Sequence, residues 1–285
     1  MSNQPTYGKV VLAGAGPGDP ELITVKAVRY LQQADVVLTD RLVSDEILTQ
    51  FVNPAAIVRY VGKQGCSGNS TSQEDINNLL VQYASQKKLV VRLKGGDISI
   101  FSNILDELKT LVEHHIPYEL IPGVTAAAGA AAYAGIPLTA RDYSAAVRFL
   151  TSYQPDMITE KNWKELAETN DTLVFYMSSE SLHEVVKKLI LYKIGKDKLL
   201  AVVEQATTPL QNVQIYDLYD HATQGAVQNF ISPSLVIVGK VVSLHEQFAW
   251  LPNSQSREKY FKPVMKLYDQ SSVNSEKKRK NVSRA

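Results

Sequence analysis

Short apolar runs rich in β-branched residues alternate with amphipathic segments along the chain, and this alternation constrains the fold more than any other feature. Apolar residues are consecutive in the runs, as in strands buried on both faces, and recur every three or four positions in the segments between them, as in helices. Strands that alternate with helices predict a mainly parallel sheet covered on both faces. In the first half the predicted strands are Val10–Ala13, Val36–Thr39, Ile57–Val61, Leu89–Leu93 and Tyr118–Ile121.

Helices are predicted between these strands, and the alternation continues in the second half. A capping box of Thr71 and Glu74 is expected to start the third helix. An alanine-rich helix over Thr125–Gly135 has small side chains that either admit a ligand closely or pack in the core. The other predicted helices of the first half are Pro20–Gln33, Ser44–Gln50, Gln73–Gln86 and Ile100–His114. Beyond them we predict strands at Val147–Thr151, Thr172–Tyr176, Leu200–Val203 and Ser234–Val238, and helices at Trp163–Glu168 and Ser181–Leu191.

The length of 285 residues suits two domains. We therefore predict an α/β protein with two α/β domains, over residues 1–135 and 136–251, and a basic tail over 252–285. The tail has nine Lys and Arg against three Asp and Glu, so its net charge is +6 and that of the remainder is −5. Such a charge run is expected to be solvated and disordered, with contact to an acidic partner as the alternative.

Composition excludes several classes of protein. No run of apolar residues is long enough to span a membrane, and the polar N-terminus lacks the sections of a signal peptide, so we expect a cytoplasmic protein without a membrane partner. The single cysteine, Cys66, cannot form an internal disulfide, and the five histidines show no metal-ligand spacing, so no metal is expected. A formal net charge of +1 gives no reason to expect a nucleic-acid partner.

The first glycine-rich loop, Gly14–Asp19, follows a predicted strand and precedes a helix, as a dinucleotide-binding turn does. Asp19 stands where that fingerprint requires glycine, and Pro17 removes an N–H group that could hold phosphate. These two residues argue against NAD binding. The loop is interpreted as a site for another ligand, with a structural turn as the alternative.

Two further loops follow predicted strands and meet the same edge of a parallel sheet, where ligands bind. In the second loop, Gly95 and Gly96 allow close approach of a ligand to the backbone, and Asp97 can accept hydrogen bonds from that ligand. The alternative is a diglycine turn with a solvated carboxylate. In the third loop, Thr125 follows Gly123 and could serve only as the N-cap of the alanine-rich helix.

Together these loops and three other ordered blocks resemble the tetrapyrrole methylase family. The resemblance runs from about Lys9 to about Trp250, and several ordered blocks are far more specific than one loop. The blocks are Gly14–Asp19, Thr39–Val43, Val61–Lys63, Val91–Asp97, Ile121–Ala127 and Gly135–Thr139, with Phe175–Met177, Glu204, Gln211 and Gly239–Val242 further on.

The resemblance implies an S-adenosylmethionine-dependent enzyme that methylates two ring carbons of uroporphyrinogen III, giving precorrin-2 for sirohaem or corrinoid synthesis. It also implies a homodimer, with the active site in the cleft between the two domains of each subunit. By motif, the residues implied at the S-adenosylmethionine pocket are Pro17, Gly95, Gly96, Asp97, Ile100, Thr125, Ala126, Met177 and Ala206. Asp40 and Lys63 are the implied acid and base beside the tetrapyrrole substrate.

The expected chemistry suits these residue types. Methylation of a pyrrole carbon adds positive charge and requires later loss of a proton, so a carboxylate such as Asp40 can act as base or electrostatic partner. Its alternatives are to cap the following helix or to pair with Arg41. Because the substrate carries eight carboxylates, Arg41, Arg141 and Arg148 are expected to bind it, although each could be an ordinary surface charge.

The chain departs from the family pattern near the expected substrate site. Asn103 stands where the family has arginine, Ala140 replaces a histidine, and the family's Gly-His reads Ser152-Tyr153 here. Two alternatives therefore stay open: a methyltransferase for another precorrin, or a non-catalytic module that binds S-adenosylmethionine or a porphyrinoid. Retention of Asp40 and Lys63 argues against the second. Because about eight residues precede the first strand, oxidation and iron insertion are expected to need separate proteins.

Overall fold

The computed structural model describes residues 7–62, 71–151, 158–177, 181–223 and 230–261. The first half forms a sheet of five parallel strands, which confirms the predicted parallel sheet. These strands are β1 (Val10–Gly14), β2 (Val36–Thr39), β3 (Ile57–Tyr60), β4 (Val90–Lys94) and β5 (Tyr118–Ile121). Their spatial order is β3-β2-β4-β1-β5, and every residue of β1, β2 and β4 is buried because helices cover both faces.

Four helices connect these strands and supply the two hydrophobic clusters on the faces of the sheet. They are α1 (Val25–Gln33), α2 (Asp45–Phe51), α3 (Gln73–Ser85) and α4 (Leu105–Glu113). The predicted capping box of α3 is wrong by one residue: Ser72 Oγ accepts from Asp75 N, and the Asp75 carboxylate accepts from Ser72 N. The predicted start of α4 at Ile100 is also wrong, because Phe101 and Asn103 have positive φ and interrupt helical geometry.

The second half forms a sheet in which only the first strand pair is parallel. Its strands are β6 (Val147–Thr151), β7 (Thr172–Tyr176), β8 (Leu199–Glu204), β9 (Asn212–Asp217) and β10 (Ser234–Gly239), in the order β6-β7-β10-β8-β9. The remaining α-helices are α5 (Ala126–Ala134), α6 (Glu160–Glu168), α7 (Leu182–Leu191), α8 (Leu218–Thr223) and α9 (His245–Phe248). Sequence reasoning missed β9, a polar edge strand, and the short α8 that follows it.

Helix α5 is the alanine-rich segment, and it packs against the second sheet. Ala127, Ala130 and Ala134 belong to one buried cluster with Val203 and other side chains of that sheet. Small side chains allow this close packing, which is the core role considered for the alanine-rich helix. The same small side chains would also let a ligand approach, which is the other role considered. The domain boundary at residue 135 stays a prediction.

The expected disorder of the tail is wrong for its first ten residues. Residues 252–261 pack along the protein, and Phe261 is only 4% exposed. Hydrogen bonds from side chains such as Asn253 hold this segment, which the charge pattern did not indicate. Residues 262–285, which hold most of the tail's charge, lie outside the described residues.

Neither a membrane-spanning helix nor a metal-binding cluster is found among the described residues. None of their helices combines the length and apolar character needed to cross a membrane. No cluster of three or more His, Cys, Asp or Glu side chains among them is arranged to hold a metal ion.

The substitution Gly123→Ala is expected to lower the free energy of unfolding by about 2 kcal/mol or more, because overpacking without room for relaxation is costly. A Cβ at Gly123 would lie 2.3 Å from the Gly96 carbonyl oxygen and 2.9 Å from Gly14 Cα, all of them backbone atoms. Gly239→Ala is the control, since its Cβ would meet Thr172 at an ordinary 3.5 Å. Urea denaturation measures both, and equal effects would contradict the packing argument.

Candidate active site

Three loops meet where β1, β4 and β5 end, because β1 lies between the other two strands. The backbones of Gly16 and Gly96 exchange two hydrogen bonds, of 3.1 and 2.7 Å. Gly123 N donates to the Asp97 carboxylate at 2.8 Å. The loops predicted separately from sequence therefore form one continuous backbone floor.

A cavity of about 370 Å³ lies on this floor and is lined by residues from both halves of the chain. Its volume is within the range of small-molecule sites. All nine residues expected at the S-adenosylmethionine pocket line it: Pro17, Gly95, Gly96, Asp97, Ile100, Thr125, Ala126, Met177 and Ala206. The structure thus brings these residues together, while their role toward the cofactor stays a prediction.

Asp97 is only 7% exposed. This burial excludes the alternative of a diglycine turn with a solvated carboxylate. The Asp97 carboxylate accepts hydrogen bonds from Ser99 N at 2.8 Å, from the Ser99 hydroxyl and from Gly123 N. Burial alone would raise the pKa of Asp97, but these hydrogen bonds to the ionised form outweigh it and lower the pKa. Asp97 therefore joins the second loop to the third at the cavity wall.

Tyr176 is a cavity residue that sequence reasoning missed, although Phe175–Met177 was among the matching blocks. Its hydroxyl shares a 2.6 Å hydrogen bond with the Thr125 hydroxyl and accepts from Ala127 N at 3.1 Å. Thr125 occupies the N-cap position of α5, but the tyrosine from β7 supplies the capping oxygen. Burial raises the pKa of Tyr176.

The other lining residues that sequence reasoning did not assign are mostly apolar or small. A stretch before β10 and a residue from the C-terminal segment contribute to the wall. Apart from Arg41, discussed below, these residues are Leu42, Phe101, Ser102, Val203, Ser232, Pro233, Ser234, Leu235 and Phe261. The Phe101 ring lies 4.9 Å from the ring of Tyr176, so the two halves also meet through aromatic contact.

Strained backbone surrounds the cavity. Five residues other than glycine in and beside its wall have φ between 49° and 65°: Phe101, Asn103, Met177, Gln205 and Thr207. Such conformations cost free energy and persist where surrounding contacts enforce them, which is frequent at ligand sites. This pattern is a structural signal of function that residue types alone do not show.

A second cavity, of about 280 Å³, adjoins the first and shares Arg41, Gly95 and Phe101 with it. Asp40 lines this second cavity, as does Asn103, which stands at the position of the family's arginine. The other predicted catalytic residue, Lys63, lies outside the described residues, as does Tyr153.

Asp40 is held by a buried charged network. Its Oδ1 lies 2.5 Å from Nη2 of Arg92, and Arg92 Nε donates to Glu107 at 2.9 Å. Lys94 Nζ lies 3.3 Å from the same Glu107 carboxylate, which is fully buried. Burial lowers the pKa of Arg92, but the two carboxylates raise it by more, so the guanidinium stays charged. Burial and the nearby Arg92 charge lower the pKa of Lys94.

This network resolves the alternatives for Asp40. The N-cap of α2 is Ser44, and the cationic partner of Asp40 is Arg92, so Asp40 neither caps that helix nor pairs with Arg41. Because a buried guanidinium fixes one carboxylate oxygen, the orientation of Asp40 toward the second cavity is set.

The three predicted substrate arginines occupy different places. Arg41 lines both adjoining cavities, its pKa is lowered by burial, and it makes no ion pair with any residue of the described ranges. Arg141 lines a separate, open cavity of about 660 Å³ with Lys240 and the neighbouring loop. Arg148 Nε pairs with Asp171 at 2.6 Å. The structure thus brings Arg41, but neither Arg141 nor Arg148, to the cavities beside Asp40.

Asp97→Asn is expected to lower the free energy of unfolding by about 1–3 kcal/mol at pH 7, because it removes an ionised acceptor of buried donors. The folded-state pKa of Asp97 is lowered, so this stabilisation is complete above its ordinary value of 3.8 and is lost as pH falls below it. The difference between wild type and variant, measured by urea denaturation, should shrink at pH 3. A difference independent of pH would contradict this assignment; the exposed Asp142→Asn is the control.

Comparison with known proteins adds to this geometry. Residues 9–221 match the family model described as Tetrapyrrole (Corrin/Porphyrin) Methylases. A siroheme synthase of Acinetobacter baylyi is 48% identical over 244 residues, 86% of this chain and 53% of that protein. A siroheme synthase of Nitrosospira multiformis is 45% identical over 249 residues, 87% of this chain and 52% of that protein. The chain spans about half the length of the curated relatives it matches.

Among solved structures, the uroporphyrin-III C-methyltransferase of Thermus thermophilus has a TM-score of 0.70 and 33% identity, covering 87% of this chain and 98% of that one. A structure of that enzyme complexed with S-adenosyl homocysteine has a TM-score of 0.67 and covers 82% of this chain and 93% of that one. A cobalt precorrin-4 methyltransferase has a TM-score of 0.70 at 29% identity, covering 82% and 95%.

Proposed function

The chain belongs to the tetrapyrrole (corrin/porphyrin) methylases, and from this premise we propose that it uses S-adenosylmethionine to methylate two ring carbons of uroporphyrinogen III, giving precorrin-2. The observation that carries the proposal is the placement of nine motif residues around one cavity that adjoins the cavity of Asp40. A donor site beside an acceptor site is the arrangement that group transfer requires.

The volume of the first cavity and the chemistry of its lining support S-adenosylmethionine as its ligand. A Cβ at Gly96 would meet only Ala126 N, at 3.8 Å, so the missing side chain leaves space in the cavity. Ile100, Met177 and Ala206 offer apolar contact for the adenine ring and for the carbons bonded to the sulfonium, whereas the glycine backbone can bind polar groups. When bound, this cofactor supplies an electrophilic methyl group on a sulfonium centre.

The chain's own residues position the reactants and handle the proton. The floor formed by the three glycine loops fixes the donor side, and the Thr125–Tyr176 hydrogen bond joins that floor to the second sheet. Asp40, oriented by Arg92, is proposed to stabilise positive charge on the methylated pyrrole and to accept its proton. Lys63 is proposed as its partner in acid–base chemistry, as the resemblance implies.

Arg41 is proposed to bind a substrate carboxylate. A half-buried guanidinium without an ion pair in the described part of the chain is costly unless an anion accompanies it in the functional state. Its position at the junction of both cavities suits a carboxylate of the tetrapyrrole. Arg141 and Arg148, which line neither of these two cavities, remain proposed substrate contacts.

The homodimer implied by the resemblance is part of this proposal. Large apolar side chains at least half exposed on the described surface, such as Leu105, Val112 and Trp250, provide area that a second copy could cover.

The direct test is methyl transfer from labelled S-adenosylmethionine to enzymatically prepared uroporphyrinogen III under anaerobic conditions. We expect a product with two added methyl groups. Binding of cofactor and tetrapyrrole without turnover would instead support the non-catalytic module, and absence of both binding and product would contradict the proposal.

A second candidate acceptor is a methylated precorrin from a later step. Two observations favour this candidate. The TM-score with a cobalt precorrin-4 methyltransferase, 0.70, equals that with the uroporphyrin-III C-methyltransferase, and Asn103 lies in the second cavity. The same assay with a methylated precorrin as acceptor separates the two candidate substrates. Faster methyl transfer to the precorrin than to uroporphyrinogen III would show that the precorrin is the acceptor.

Asp40→Asn is expected to reduce kcat by about a hundredfold, because loss of a general base typically costs that much. The affinity for S-adenosylhomocysteine, measured by calorimetry, should change little, since Asp40 lines only the second cavity. Glu113→Gln, an equal neutralisation on the exposed end of α4, is the control for both measurements. A normal kcat in Asp40→Asn would leave Asp40 with a structural role alone.

A further inference from the structure

Residues 253–261, here named the strap, lie beyond the region that matches the family model. The strap begins on β9, the edge strand of the second sheet. Asn253 Oδ1 accepts from Val213 N at 2.7 Å and its Nδ2 donates to Val213 O at 2.8 Å. Ser254 N donates to Gln211 O at 2.9 Å. The side-chain amide of Asn253 thus replaces a strand partner at the edge of the sheet.

The middle of the strap is held by the end of β8. Gln205, only 1% exposed, donates through Nε2 to Glu258 O at 3.0 Å and accepts from Tyr260 N at 2.7 Å. Arg257 Nη1 lies 2.9 Å from the fully buried carboxylate of Glu204. A buried amide that binds two backbone groups specifies one path for this segment.

The last two residues of the strap reach the first half of the chain. Tyr260 Oη and Ser44 Oγ are 2.8 Å apart and share a hydrogen bond at the start of α2. Phe261 is 4% exposed, lines the 370 Å³ cavity, and lies 5.1 Å, ring to ring, from Tyr260. The strap therefore runs from the second sheet to the first and ends in the wall of the candidate cofactor cavity.

We propose that the strap is part of the ligand site and that Phe261 is a cofactor-binding residue which the family motifs do not include. The proposal rests on the proposed function, since it takes S-adenosylmethionine as the ligand. A buried aromatic side chain in the wall excludes water and offers a flat apolar surface to the bound molecule. The Tyr260–Ser44 hydrogen bond fixes that wall to the half of the chain that carries the glycine floor.

The test is calorimetric titration of the full chain with S-adenosylhomocysteine, a probe that needs no turnover. Phe261→Ala should weaken binding at least about tenfold, as loss of a buried aromatic contact typically does. Phe261→Leu keeps an apolar wall and should retain most of the affinity. Phe248→Ala is the matched control, because Phe248 is half exposed on α9 and lines neither cavity.

A merely structural strap would give a different result. Unchanged affinity in a folded Phe261→Ala variant, with wild type binding, would overturn the inference and leave the proposed function standing. Failure of the wild type to bind the probe would overturn the proposed function itself.

If Phe261→Ala does not fold, as judged by circular dichroism, Tyr260→Phe tests the same inference. It removes one hydroxyl and should weaken probe binding about threefold, in keeping with a typical hydrogen bond. Equal affinity of wild type and Tyr260→Phe, together with equal resistance of the Lys259 peptide bond to trypsin with and without probe, would contradict a role in binding.

Discussion

The rest of the site depends on the close approach of three backbones at the carboxyl edge of the first sheet. Gly14, Gly96 and Gly123 lie so near one another that a Cβ on Gly14 or Gly123 would come within 3 Å of backbone atoms of the other loops. This contact requires that β1 lie between β4 and β5, so the site can form only with this strand order. The glycine floor then positions the start of α5, and α5 packs against the second sheet.

Buried charge provides a second constraint, beside the second cavity. Arg92 and Glu107 are almost completely buried, and such groups persist in a fold only when they are paired. Arg92 and Lys94 line the second cavity together with Asp40, and Asp40, a quarter exposed, is the carboxylate that the network presents there. Asp40 is therefore held in one orientation at the second cavity, while Arg92, Glu107 and Lys94 stay almost completely buried.

Much of the fold could be predicted because its strands are apolar and its helices are regular. The bounds of β2, β5, β6 and β7 match the prediction, since periodicity and turn residues agree there. The polar edge strand β9 was missed because it has little apolar character of its own. Its strand conformation depends on pairing with β8. The start of α4 was wrong because a strained loop at Phe101 and Asn103 is imposed by tertiary contacts.

The nine residues that line the first cavity could be identified together because they belong to local motifs, whereas Tyr176, Arg92 and Phe261 are placed by distant partners. Phe261 lies in a segment whose charge pattern favoured disorder, and the hydrogen bonds of its neighbour Tyr260 to Gln205 and Ser44 fix its place. Long-range contacts of this kind have no signature in one sequence.

We propose that the cavity built by the glycine floor, Tyr176 and Phe261 holds the methyl donor. The decisive experiment is a crystal structure of the chain grown with S-adenosylhomocysteine. We expect ligand density over Gly95 and Gly96 with the Phe261 ring against it. Density at another place, or the same density with Phe261 outside the wall, would contradict the proposal.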